Sequence, residues 1–289
     1  MGKIAFVFPG QGAQYVGMGK DFYEQFPVCR EVFEKASAAS GLDIAALCFE
    51  ENEKIHITEY TQIAMLTVEA AILKAVEEMG IRGQVHAGLS LGEYGALIAS
   101  EVMSMEDAFR VVRQRGILMQ EAVPTGGAMT AVMGMDGDQI AEICEKTEGI
   151  VSVANYNCPG QIVITGEAKA VEAAAENLKA AGARRCVPLK VSGPFHSLML
   201  KEAGEKLGQV LETVEVKDFQ IPYVTNVTAD YVTDAGQVKE LLSRQVYSSV
   251  KWQQSVERMI ADGVDTFVEI GPGRTLTALF EEDGGYTAN

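Results

Sequence analysis

The feature that constrains this chain most is a serine held between two glycines, Gly88-Leu89-Ser90-Leu91-Gly92, within the stretch "VHAGLSLGEYGAL" of residues 85–97. A short apolar run precedes it and helix-favouring residues follow, so the segment reads as strand, sharp turn and helix. A turn that sharp thrusts the serine clear of the backbone, and flanking residues with side chains would clash there. The helix beyond contributes its dipole and the free N–H of the residue after the serine, here Leu91, and both can stabilise an oxyanion. The segment is either a nucleophile on its elbow or an ordinary Gly-Ser turn. The strand before it and the helix after it favour the nucleophile.

The same alternation recurs along the chain. "KIAFVFPGQG" reads as a buried strand ending in a Pro-Gly turn, and helical patterns follow over 20–39 and 61–79, the second closed by Gly80. Near the other end come a helix over 198–213, "IPYVTNVTA", helices near 235–246 and 251–262, the strand "DTFVEI", a "GPG" turn and a last helix. Strand-turn-helix units of this kind predict an α/β fold with a parallel sheet. Residues 127–189 break the rhythm with strand "GAMTAVMGM", a helix, strands "IVSVANYN" and "GQIVITG", a second helix and strand "ARRCVPLKV". That β-α-β-β-α-β order predicts a ferredoxin-like subdomain, inserted at 127–189 into a core made of residues 1–126 and 190–289.

With 289 residues, 47% of them apolar, the chain can fill a large core without covalent staples. Its five cysteines form no C-x-x-C pair, as expected of reduced, buried thiols in a cytosolic protein. No run approaches the roughly 18 apolar residues of a membrane span, and the first residues fit neither a signal peptide nor a myristoylation signal. A cytoplasmic protein that does not engage membranes is expected. A net charge of −16 argues against nucleic acid as a partner. The nucleotide motifs also fail: Tyr15 stands where a dinucleotide fingerprint needs its third glycine, and Gln14 and Asp21 where a phosphate loop needs other residues.

A serine nucleophile needs a base, and the chain has three histidines. His86 lies in the strand before the elbow, as a core group would. His56 lies in the polar approach to a helix, and His196 on the loop "VSGPFHSLM", at a junction marked by Gly193-Pro194. His196 is the best candidate by elimination. In the helix after the elbow, Ser104 and Asp107 form a capping-box-like start, and Ala108, Val111, Val112, Met119 and Ala122 mark an apolar stripe. Arg115 falls within that stripe, while Arg110 and Arg113 point to the polar face. A buried guanidinium must be paired. Its partner is either an internal Asp or Glu or a carboxylate that arrives with a substrate.

The stretches "FPGQGAQYVGMG", "GLSLGEYGAL", "RQRGILMQEAVP", "NYNCPGQIVITG", "VSGPFHS", "RQVYSSVKWQQSVE" and "EIGPGRTLTAL", in that order, resemble the malonyl-CoA:acyl carrier protein transacylases of bacterial fatty acid synthesis. The likeness spans nearly all of residues 3–280. It implies an α/β-hydrolase-like core carrying a ferredoxin-like insert, with the site between them. It further implies Ser90 as nucleophile, His196 as base, and the main-chain N–H groups of Gln11 and Leu91 as oxyanion hole. Arg115 would bind the malonyl carboxylate, the main-chain carbonyl of Gln245 would orient the histidine, and Gln62 would line the site. No cofactor or metal is implied beyond the substrates malonyl-CoA and phosphopantetheinylated acyl carrier protein, and a monomer is expected. One departure is Leu89, where the family usually has histidine, which bears on pocket polarity and acyl preference.

Three other readings stay open at this level. A serine thioesterase or esterase shares the elbow but gives no reason for Arg115 in an apolar stripe. A non-catalytic carrier-docking module gives no reason for the elbow or His196. A transferase serving a polyketide synthase differs only in its carrier, and the lack of flanking synthase segments favours fatty acid synthesis. Carrier proteins are acidic, so Arg184, Arg185, Lys190, Lys201 and Lys206 near the His196 loop are candidates for a docking patch.

Overall fold

Apolar runs rich in β-branched and aromatic residues form the strands, and Gly, Pro and Asn end them. A computed structural model describes residues 2–281 and 286. Its strands are β1 (Lys3–Phe8), β2 (Val85–Gly88), β3 (Gly127–Met133), β4 (Val151–Cys158), β5 (Gln161–Glu167), β6 (Arg185–Pro188), β7 (Tyr223–Val224) and β8 (Val264–Glu269). They form two four-stranded sheets, ordered β7-β2-β1-β8 and β4-β5-β3-β6.

The first sheet is parallel throughout, with Phe8 of β1 beside Gly88 of β2. Strands buried on both faces need helices on both sides. One of these, Thr58–Glu78, is apolar almost all round and buried along most of its length. The second sheet is antiparallel, and helices Gly137–Lys146 and Ala168–Ala180 cover one face with a small core around Ile140, Ile164 and Leu178. Its β-α-β-β-α-β order with β3 and β5 central is the ferredoxin-like arrangement. At an irregularity in β4 between Val153 and Asn155 the second sheet meets a loop of the core: the Val250 N–H donates to the Ala154 carbonyl at 2.8 Å, and the Tyr156 N–H to the Val250 carbonyl at 2.9 Å.

Several expected elements differ. The helix expected over 20–39 is two, Lys20–Gln25 and Pro27–Ser40, because Phe26 is extended ahead of a proline that starts the second helix. A short helix, Ile44–Phe49, is capped by Asp43 and lacks an advance signal. "IPYVTNVTA" pairs only at Tyr223–Val224, and "ARRCVPLKV" only at Arg185–Pro188. In helix Met105–Ala122, Ser104 caps the Asp107 N–H at 3.1 Å as the sequence reads, but Ala122 is exposed at the last turn. Arg113 is half-buried rather than on a purely polar face: it pairs with Glu59 at 3.0 Å and lies over the Tyr60 ring.

Candidate active site

The end of β2 places Ser90 on the elbow in a left-handed conformation, φ 54°. For a residue with a side chain that costs about 1–2 kcal/mol, so the surroundings must hold it. Two glycines let them do so. A Cβ on Gly88 would sit 1.9 Å from the Gly92 carbonyl oxygen, and one on Gly92 would sit 2.1 Å from that of Phe8. Asn226, just beyond β7, pins the turn from the other side. Its Oδ1 accepts the Ser90 N–H at 2.7 Å, and its Nδ2 donates to the Gly88 carbonyl at 2.6 Å.

His196 is also left-handed, φ 60°, and only 4% exposed. Its Nδ1 lies 2.8 Å from the main-chain carbonyl of Gln245, an acceptor, so Nδ1 carries the proton. Nε2 is thereby left as a base, 2.8 Å from Ser90 Oγ. Burial, then the Arg115 charge, lowers the His196 pKa to about 4, so the ring is neutral at ordinary pH. The other histidines take no part in this pairing. His86 is buried against Ser100 Oγ at 2.9 Å and stacks on Phe6, and His56 is exposed at the mouth of the cleft.

Arg115 is completely buried and makes no ion pair with a carboxylate among the described residues. Nη1 donates to Gln62 Oε1 at 2.7 Å, and Nη2 to Gln245 Oε1 at 3.0 Å and Ser90 Oγ at 3.3 Å. The Tyr94 ring lies 5.7 Å away, and Arg115 Nε has no partner. A desolvated cation held by amide oxygens beside a serine hydroxyl suits an incoming anion. Gln62 completes its grip through Nε2 to the Met119 sulfur at 3.5 Å.

The cleft, about 540 Å³, is walled by Gln11, Gln62 and Leu89 of the core and by Met129, Asn155 and Val163 of the second sheet. Gln11 is anchored by its side chain to Thr58 Oγ1 at 3.1 Å, which meets Ser192 Oγ at 2.7 Å across the cleft. The main-chain N–H groups of Gln11 and Leu91 have no protein acceptor among the described residues. Of the seven residues singled out from the sequence, Gln11, Gln62, Ser90, Leu91 and His196 line this cavity, and Arg115 and Gln245 lie completely buried behind Ser90 and His196. Sequence reasoning missed Asn226 and Glu93, the latter buried behind Gln245. The signal for Glu93 was its place one residue after the elbow, on the buried start of the next helix; Asn226 had none. Among the described residues no group of histidine, cysteine and acidic side chains could hold a metal, and no helix is long and apolar enough to cross a membrane.

A hydroxyl exposed by strain, a neutral imidazole locked in one tautomer and two free amides beside them define a class: α/β enzymes that handle acyl groups through serine and histidine. Within that class the chain belongs to the acyl transferase domain family, whose pattern matches residues 5–286. The malonyl CoA-acyl carrier protein transacylase of Bacillus subtilis is 47% identical over 98% of this chain and 90% of its own length. The crystal structure of an acyl carrier protein S-malonyltransferase from Vibrio cholerae superposes with TM-score 0.95 at 41% identity, covering 99% of this chain and 95% of that one. A malonyl-transacylase in complex with its type II PKS acyl-carrier protein superposes at 0.94 with 42% identity, over 99% and 94% of the two chains.

Proposed function

We propose that this protein moves a malonyl group from malonyl-CoA to the phosphopantetheine thiol of an acyl carrier protein through an ester on Ser90. Ser90 Oγ attacks the thioester carbonyl as its proton passes to His196 Nε2. The oxyanion is met by the N–H groups of Gln11 and Leu91, and CoA leaves with the proton from His196. The carrier thiol then gives its proton to His196 and attacks the seryl ester, and Ser90 Oγ leaves with that proton, returned from His196. Gln245 holds the imidazole through its carbonyl, Arg115 binds the free carboxylate of the malonyl group, and Gln62 steadies Arg115. One thioester replaces another, so the free-energy change is small and the protein's task is to stabilise charge and exclude water. No metal or redox cofactor enters these steps.

The observation that carries this reading is Arg115, buried without a carboxylate and 3.3 Å from Ser90 Oγ. A simple esterase or thioesterase has no use for it. Residues 1–126 and 190–289 act as the core that carries the nucleophile and base, and 127–189 as the roof of the cleft. The protein is taken as a cytoplasmic monomer serving fatty acid synthesis. Intact mass after brief exposure to malonyl-CoA tests the chemistry: one malonyl adduct is expected, absent in Ser90→Ala. An adduct that persists in Ser90→Ala overturns the assignment of the nucleophile.

A further inference from the structure

Behind Arg115 lies a buried carboxylate that the steps above leave unused. Glu93, in the first turn of helix Gly92–Ala99, is 0% exposed. Its Oε2 accepts from Gln245 Nε2 at 2.7 Å and from the Asn226 N–H at 3.1 Å, and the Thr225 side chain lies beside the same carboxyl. The same Gln245 carboxamide presents Oε1 to Arg115 at 3.0 Å, and its Nε2, closest to Glu93, also reaches the Ser90 carbonyl at 2.9 Å and Asn226 Oδ1 at 3.3 Å. A primary amide donates at one end and accepts at the other, so its orientation decides what Arg115 meets. With the amide reversed, its NH₂ would face the guanidinium and its oxygen would face Glu93 and the Ser90 carbonyl.

We propose that Glu93 is a positioning residue for acyl selection: it fixes the Gln245 carboxamide with the oxygen toward Arg115, and so holds the guanidinium beside Ser90 Oγ. The inference rests on the reading of Arg115 as the group that binds the malonyl carboxylate. What Glu93 supplies is an acceptor at the Oε2 position. Burial raises its carboxyl to about 7 against the hydrogen bonds of Asn226, Thr225 and Gln245; Oε2 already accepts two N–H groups, so a proton taken up there goes to Oε1 and leaves Oε2 an acceptor in either state. Position therefore governs, and charge does not.

Two substitutions separate these factors. Glu93→Gln keeps an oxygen at the Oε2 position and removes the charge. Glu93→Asp keeps the charge and withdraws the acceptor by one methylene. The quantity to measure is the ratio of kcat/KM for malonyl-CoA to that for acetyl-CoA, with Arg115→Ala as reference. Glu93→Asp should lower the ratio by about tenfold or more, in the range expected when a substrate-orienting group is displaced by an ångström. Glu93→Gln should keep the ratio within about threefold of wild type. An unchanged ratio in Glu93→Asp, or a fall in Glu93→Gln as large as in Glu93→Asp, overturns the proposal. Glu93→Gln adds neither volume nor charge, so it keeps the test open if Glu93→Asp does not fold. If Arg115→Ala itself leaves the ratio unchanged, both the Arg115 reading and this inference fall. A ratio lost in Arg115→Ala but kept in Glu93→Asp removes this inference alone.

Discussion

Replacing Arg115 by alanine removes the guanidinium from beside Ser90 Oγ and leaves Gln62 and Gln245 with idle amide oxygens. Loss of one member of a buried pair costs about 3–5 kcal/mol, so malonyl transfer should fall by roughly 10²–10³-fold in kcat/KM. Acetyl transfer, which leaves the guanidinium unpaired, should hold or rise. Equal losses for both, in a variant that melts like wild type, would mark Arg115 as purely structural. The base makes a separate prediction. With its pKa lowered to about 4, His196 should keep Ser90 acylation active down to about pH 5, and an acid limb at the ordinary 6.5 would contradict that environment. The sign for stability follows: the unfolded chain binds a proton before the folded one, so this residue withdraws stability as pH falls from about 6.5 toward 4. His196 was legible because so few histidines compete, and Arg115 because a charge interrupts an apolar stripe. Gln245 came only through resemblance. Glu93 meets Gln245, and Asn226 meets the serine elbow, across long stretches of chain, and no local pattern marks such contacts.

At the scale of elements, the reading succeeded where one periodicity ran long enough. Helix Met105–Ala122 shows its cap, stripe and buried charge in order, and Ser104→Ala should cost about 1 kcal/mol by denaturant unfolding. It failed where backbone chemistry outranked pattern, as at Pro27, which starts a new helix inside an unbroken helical composition. The Thr58–Glu78 helix poses another problem. Glu69 is completely buried in it with both carboxylate oxygens unpartnered, and burial, then the charge of Glu269, raises its pKa well above the ordinary value. Such a group stabilises the folded state least when pH favours ionisation, because the unfolded chain gives up the proton above about 4.5 and the folded one retains it. Glu69→Gln removes this titration. Its gain in unfolding free energy should be larger at pH 8 than at pH 5. Equal gains at the two pH values would mean that Glu69 does not titrate abnormally.

Across the whole molecule, the alternation of strands and helices gave the parallel sheet, and its interruption gave the second sheet. The strap through Val250 that holds the second sheet to the core was invisible, since an isolated bridge carries no periodicity. The basic residues that flank the His196 loop in sequence sort themselves once paired. Lys201 and Lys206 sit within reach of Glu205 and Glu202, at 3.8 and 2.7 Å, whereas Arg184, Arg185 and Lys190 are exposed with no acidic partner among the described ion pairs. Charge reversal at the latter three should raise the carrier-protein KM and flatten its salt dependence, and reversal at Lys201 or Lys206 should do less. Unchanged constants at all five would move docking to another face. The glycines under Ser90 carry one last consequence. The floor of the cleft has no spare volume at 88 or 92, and Leu91 is fully enclosed, so of the elbow's flanking positions only half-buried Leu89 can vary freely. The roof is ordinary antiparallel sheet. The two walls therefore differ in what they tolerate: side chains of new size can enter the cleft from the roof, whereas one added at 88 or 92 would break the turn that holds Ser90.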